Sequence, residues 1–161
     1  MSSSRPLSAD QFRFVVQHTP LVSIDLLLVD PAGAVLVGLR NNEPARGSWF
    51  VPGGVIFKGE RLAAAFGRIL TAETGLSRAM SEAEHVGVFE HFYDTNRFTE
   101  PGYGTHYVVN TFRLALASRP EIAADDQHRA MKWMMPEEII AAADVHPNTQ
   151  AYFRPRSATP A

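Results

Sequence analysis

Gly54-Val-Ile-Phe-Lys-Gly-Glu60, followed after seven residues by Arg68-Ile-Leu-Thr-Ala-Glu73-Thr-Gly75-Leu76, runs from a glycine-rich turn into a helix, and the rest of the chain is read from it. Leu62, Ala65, Phe66, Ile69 and Leu70 recur at helical spacing from Arg61 onward. Gly75 stands where helices end on a left-handed residue. Glu73 lies three and four residues after Leu70 and Ile69, so a continuous helix turns its carboxylate onto the apolar stripe. It also sits in the last turn, where the helix dipole disfavours negative charge. Such a carboxylate asks for a cation; the bland alternative is a frayed turn with Glu73 in solvent.

Working outward, Ser8-Ala-Asp-Gln11 has capping-box spacing, and Phe12, Val15 and Val16 supply a stripe for a short helix ending before Pro20. Leu21–Val29 and Ala34–Leu39 are aliphatic and β-branched, and Asp30-Pro-Ala-Gly33 between them is hairpin-turn chemistry. Trp49–Val51 is a short strand cut off by Pro52-Gly53-Gly54. Val86–Tyr93 and His106–Leu116 read as long strands joined by a loop of about ten residues, more typical of function than of a tight hairpin. Gln127–Met134 is a further strand, and Pro136-Glu-Glu opens a helix through Ala143. The sum is an α/β (α+β) sandwich on a mixed sheet.

Composition narrows the function classes. The chain has 161 residues, enough for one domain with a core, and the expectation is a single domain over 7–153 with loose tails at 1–6 and 154–161. Fifteen Lys+Arg against seventeen Asp+Glu leave a net charge of -2, so no global field draws the protein to nucleic acid or an anionic membrane. An anionic ligand must be held locally. The absence of cysteine excludes a disulfide scaffold, thiolate-held zinc and a cysteine nucleophile. No apolar run, Leu26–Val29 included, is long enough to span a bilayer, and with no apolar signal segment the expectation is a soluble, cytoplasmic protein.

Polar residues where packing prefers apolar ones mark candidate chemistry. Besides Glu73, Asp25 interrupts Ile24-Asp-Leu-Leu-Leu-Val29, as a ligand-facing acid or as a structural ion pair. His91 shares a strand face with Phe89 and Tyr93, either as a functional ring or as a hydrogen-bonded core histidine. Gln127-His128 offers a neutral oxygen beside a titratable ring, or is merely a loop dipeptide.

The stretch from Gly54 to Leu76 resembles the Nudix box, G-x5-E-x7-R-E-U-x-E-E-x-G-U with U aliphatic; Gly54, Glu60, Arg68, Leu70, Glu73, Gly75 and Leu76 all fall in register. Two box acids are replaced, by Ile69 and Ala72. Those acids normally help to gather two or more divalent ions, so Glu73 alone implies one sparsely ligated Mg²⁺. The same departures characterise the GDP-mannose mannosyl hydrolase branch. Thr19-Pro-Leu-Val-Ser, Trp49-Phe-Val-Pro-Gly-Gly54, His91-Phe-Tyr-Asp94, Thr105-His-Tyr-Val-Val109, Asp126-Gln-His128 and Val145-His146…Asn148…Ala151-Tyr-Phe153 also look like that branch.

The resemblance implies a Nudix-type α/β/α sandwich, a homodimer, and Mg²⁺-dependent hydrolysis of GDP-mannose, or another GDP-hexose, by inverting attack of water at carbon 1 of the sugar. In that reading the Gly53 carbonyl, Glu73 and Gln127 hold the Mg²⁺, with Mn²⁺ as a possible substitute. Arg40 and Tyr107 contact the diphosphate, Arg68 braces the metal carboxylate, and His128 is the general base. Asp25 and His91 face the sugar, and Phe12 is a candidate for stacking the base although a helix-face Phe is core by default. The branch has an arginine where this chain has Val55, a lost cation that Lys58 or Arg46 would have to replace. The competing readings are P–O cleavage of a nucleotide sugar or nucleoside diphosphate, and a non-catalytic domain that binds a nucleotide sugar.

Overall fold

The computed structural model describes residues 7–122 and 128–155, with the side chains of residues 128 and 129 left out of the description. Helix α1 (Ala9–His18) starts with the reciprocal bonds its sequence predicts: Ser8 accepts from the Gln11 amide, and the Gln11 side chain accepts from the Ser8 amide. Strand β1 (Leu21–Val29) is buried along nearly its whole length because both faces are covered. The turn into β2 (Val35–Arg40) is tied by Asp30, whose carboxylate accepts from the amides of Ala32 and Ala34 and pairs with Arg119.

Short strands β3 (Trp49–Phe50) and β4 (Gly53–Val55) follow, then helix α2 (Leu62–Thr74). The glycine pair read as a break is therefore itself a strand. It pairs antiparallel with β1, with Asp25 opposite Gly53 and Ile24 opposite Gly54. Strands β5 (Glu84–Tyr93), β6 (Thr105–Ala115) and β7 (His128–Met134) complete the sheet, and α3 (Pro136–Ala141) and a short α4 (Pro147–Gln150), which sequence did not announce, close the described chain.

Among the described residues the sheet has seven strands, ordered β3-β2-β1-β6-β5, with β4 also paired to β1 and β7 to β2. Only β1 and β6 run parallel, from Leu21 opposite Tyr107 to Val29 opposite Ala115, so the sheet is mixed. Alternation along β1 feeds two cores. Ile24, Leu26 and Leu28 pack with Phe66, Ile69 and Leu70 of α2, while Leu27 and Val29 pack with Phe50, Val51, Ile139 and Val145 on the opposite face. This is the expected α/β/α sandwich. No described helix is long and apolar enough to cross a membrane.

α2 runs to Thr74 and ends on Gly75 at φ 73°, whose amide bonds the Thr71 carbonyl. Its last turn is not frayed. Glu73 is 7% exposed and stays on the inner face, so the solvent-exposed alternative is excluded.

Candidate active site

One pocket opens where β1, β2, β4, β6 and the C-terminal turn of α2 converge, and Asp25, Arg40, Gly53, Glu73 and Tyr107 line it together with Phe12 from α1. Six of the residues singled out from sequence, carried by six elements, thus meet at one place. Gln127 lies outside the described residues, as does the side chain of His128. The backbone of residue 128 begins β7 opposite Arg40, which lines the pocket.

Asp25 is placed by strand pairing. A Cβ on Gly53 would stand 2.4 Å from Asp25 Oδ1 and 2.7 Å from the Ile24 carbonyl, so only glycine lets the β4 backbone approach this carboxylate. The carboxyl is 7% exposed, and burial pushes its pKa up to about 7 against the opposing pull of the Tyr152 hydrogen bond and nearby Arg40. Tyr152 gives that hydrogen bond to Asp25 Oδ2 at 2.5 Å.

His91 does not stand on the pocket wall, contrary to the expectation that it faces the ligand. It is 4% exposed and lies behind Asp25, with its Nε2 3.2 Å from the Tyr152 hydroxyl and its ring edge-on to Phe50. Burial, helped by neighbouring His146, lowers its pKa to about 4, so the ring is neutral at ordinary pH. The strand alternation read from sequence was right in direction. What it lacked was Tyr152, which fills the space between the two side chains.

Arg68 also differs in its target. Its guanidinium binds Glu60 through Nε and Nη2 at 2.6 and 2.7 Å, reaches the Val55 carbonyl at 2.9 Å and lies over the Phe57 ring. The Glu60 carboxylate in turn accepts from the Phe57 amide. The expected brace therefore acts on the Gly54–Glu60 loop, because the helix register carries Arg68 toward the loop and Glu73 toward the pocket.

Lys58 and Arg46, the two cations weighed as substitutes for the arginine absent at Val55, are exposed and are not among the residues that line the pocket. The second cation on the pocket is Arg97, from the loop between β5 and β6. Asn96 shapes that loop: fully buried, it accepts from the amides of Phe98 and Glu100 and donates to the carbonyls of Glu100 and Tyr103. Thr95 donates to Glu43 and ties the loop to the segment after β2. Sequence reading missed Arg97, and the long loop ahead of β6 was its only signal.

The donor set suits a hard cation. Glu73 supplies a carboxylate on the pocket and Gly53 a main-chain carbonyl, both oxygen, as Mg²⁺ prefers. No group of three or more His, Cys, Asp or Glu residues that could hold a metal occurs among the described residues. The fit is to an ion that keeps water or phosphate oxygens on its remaining positions.

Comparison with known proteins agrees with the geometry. The NUDIX domain family pattern matches residues 19–156. The low-salt glycan biosynthesis protein Agl8 of Haloferax volcanii is 38% identical over 144 residues, covering 89% of this chain and 86% of that protein. In fold, the MutT protein from Methanosarcina mazei superposes with a TM-score of 0.67 at 18% identity, covering 84% of this chain and 92% of that one. The MutT NUDIX hydrolase from Burkholderia pseudomallei gives 0.66 at 23% identity, covering 84% and 97%. With the box in register, the sandwich in place and the family pattern spanning most of its length, the chain belongs to the Nudix hydrolase family.

Proposed function

We propose that this Nudix protein hydrolyses a nucleotide sugar of the GDP-mannose type at carbon 1, releasing GDP and the free sugar. The observation that carries the reading is the fate of the two replaced box positions. Ile69 is buried in the core against Gly54, and Ala72 is exposed, so Glu73 is the box carboxylate left on the pocket from the end of α2. A box that leaves one acid on the pocket favours support of a leaving diphosphate over multi-metal attack at phosphorus. The relative concerned with glycan biosynthesis supports a sugar-bearing substrate.

In this mechanism the Gly53 carbonyl, Glu73 and Gln127 would hold one Mg²⁺, for which Mn²⁺ could substitute. When bound, the ion neutralises charge that develops on the departing diphosphate. Arg40 and Tyr107 hold the diphosphate by charge-assisted and hydroxyl hydrogen bonds. His128 removes a proton from the attacking water as its oxygen bonds to carbon 1 and the bond from carbon 1 to the β-phosphate oxygen breaks. Asp25, on the pocket floor, meets the sugar, where positive charge builds in the transition state. Phe12, 7% exposed and beside Phe98 and Tyr107, belongs first to the core and only edges the nucleotide end. A homodimer remains part of this reading.

Hydrolysis in ¹⁸O-water tests it. Label in the free sugar supports attack at carbon 1, whereas label in a phosphate assigns the protein to P–O cleavage. No turnover of any nucleotide sugar with Mg²⁺ or Mn²⁺ would leave a binding domain. His128→Ala tests the base, and its activity is expected to fall by roughly 100-fold or more.

A further inference from the structure

The chain after α4 turns back over the sheet and delivers one phenol beneath the pocket floor. The Tyr152 hydroxyl donates to Asp25 Oδ2 at 2.5 Å and lies 3.2 Å from His91 Nε2. A phenol has one proton to give. With that proton directed at Asp25, the Tyr152 oxygen accepts from His91 Nε2–H, which sets the tautomer of the neutral ring. The phenol is held on two sides: Phe89 packs edge-on at 4.8 Å and the His91 ring lies at 5.7 Å.

The consequence falls on Asp25. A carboxylate turns easily about its last torsion, and its two oxygens are equivalent until something ties one of them. Tyr152 ties Oδ2, and Oδ1 lies against the Gly53 backbone, where a Cβ would stand 2.4 Å away.

The geometry points to Tyr152 as a positioning residue that acts through Asp25, with His91 fixing the direction of its hydroxyl. The inference rests on the proposal that Asp25 meets the sugar. His91 is then a buried prop two hydrogen bonds from Asp25 Oδ2, which accounts for a histidine on an aromatic strand face without placing it against the ligand.

Tyr152→Phe removes the tie and keeps the ring packing. With the nucleotide sugar that the parent hydrolyses best, kcat is expected to fall by about 10- to 100-fold while KM stays within about threefold, the pattern of a misaligned rather than an absent contact. In a cycle with Asp25→Asn, the double variant is expected to be no slower than Asp25→Asn alone. A kcat within twofold of an active parent, or additive losses, would overturn the assignment.

A readout independent of turnover is ¹⁵N-histidine NMR of the metal-free protein. His91 should be the Nε2–H tautomer in the parent and lose that preference in Tyr152→Phe. An Nδ1–H ring in the parent, or an unchanged ring in the variant, overturns the relay even if the proposed substrate is wrong. Absence of turnover by the parent counts against the substrate alone.

Discussion

Ile69 packs directly on the backbone of Gly54: a Cβ added there would lie 3.1 Å from Ile69 Cγ1 and 3.5 Å from its Cδ1 and Cγ2. The contact joins the first and the middle parts of the box through apolar surface, at a position where the family pattern carries an acid. Restoring that acid is therefore not expected to restore a richer metal site. Ile69→Glu puts a carboxylate into a core of Phe66, Leu70 and Ile24 and is expected to lose on the order of 3 kcal/mol or more of stability. Ile69→Val should lose only about 1 kcal/mol. Urea unfolding of both variants checks the order, and a Glu variant as stable as the parent would show that the helix can present this position to the pocket.

Glu73 carries the metal reading. It is a buried carboxylate in the last turn of α2, where desolvation and the helix dipole both oppose its charge. Glu73→Gln is expected to weaken Mg²⁺ binding by about tenfold or more, whatever it does to the stability of the metal-free protein. Melting with EDTA and with a Mg²⁺ series separates the two effects, since a bound ion raises stability only in proportion to its affinity for the folded state. Equal stabilisation of parent and variant by Mg²⁺ would remove Glu73 from the site.

Arg97 is expected to do part of the work of the arginine absent at Val55. Arg97→Ala should raise KM for a nucleotide sugar by about tenfold with kcat within threefold, as befits a charge-assisted contact at a solvent-facing rim. Arg46→Ala and Lys58→Ala, at exposed positions that are not among those lining the pocket, should leave KM within about twofold. KM rising with either of these, and not with Arg97→Ala, would reverse the assignment.

How far sequence reached follows from the range of each interaction. The Ser8–Gln11 cap, the helix ending on Gly75 and the buried face carrying Glu73 are local, decided within a few residues by periodicity and backbone chemistry. The convergence of Asp25, Gly53 and Glu73 was legible only through the resemblance, because no spacing announces that β4 pairs with β1. Tyr152 was beyond reach. Its hydroxyl meets a residue 127 positions earlier, and Ala151-Tyr-Phe153 enters the resemblance only as a stretch of sequence, with no role for its phenol. His91 was misplaced for the same reason: alternation gives the face of a strand but not what stands between that face and the pocket.

The Asp25–Tyr152–His91 chain also fixes an expected pH response of the metal-free protein. Asp25 has a folded pKa of about 7 against an ordinary 3.8, so between these values the native state binds the extra proton and stability falls as pH rises. His91 has a folded pKa of about 4 against an ordinary 6.5, so between these values the unfolded state binds the extra proton and stability rises with pH. From about pH 4 to 6.5 these two slopes oppose one another, while His146, whose pKa burial and then Arg40 lower, adds a rise of stability with pH below 6.5. Glu60, held low by the Arg68 hydrogen bond, acts at lower pH. So does Asp30, whose burial is outweighed by Arg119 and two amides. Each single variant should expose one arm. Relative to the parent, His91→Gln is expected to gain stability on acidification, at up to about 1 kcal/mol per pH unit, and Asp25→Asn to lose it at a similar rate. Urea unfolding in EDTA at pH 4.5, 5.5 and 6.5 measures both slopes. Two variants with the parent's own slope would mean that neither group holds its proton balance as the buried chain requires.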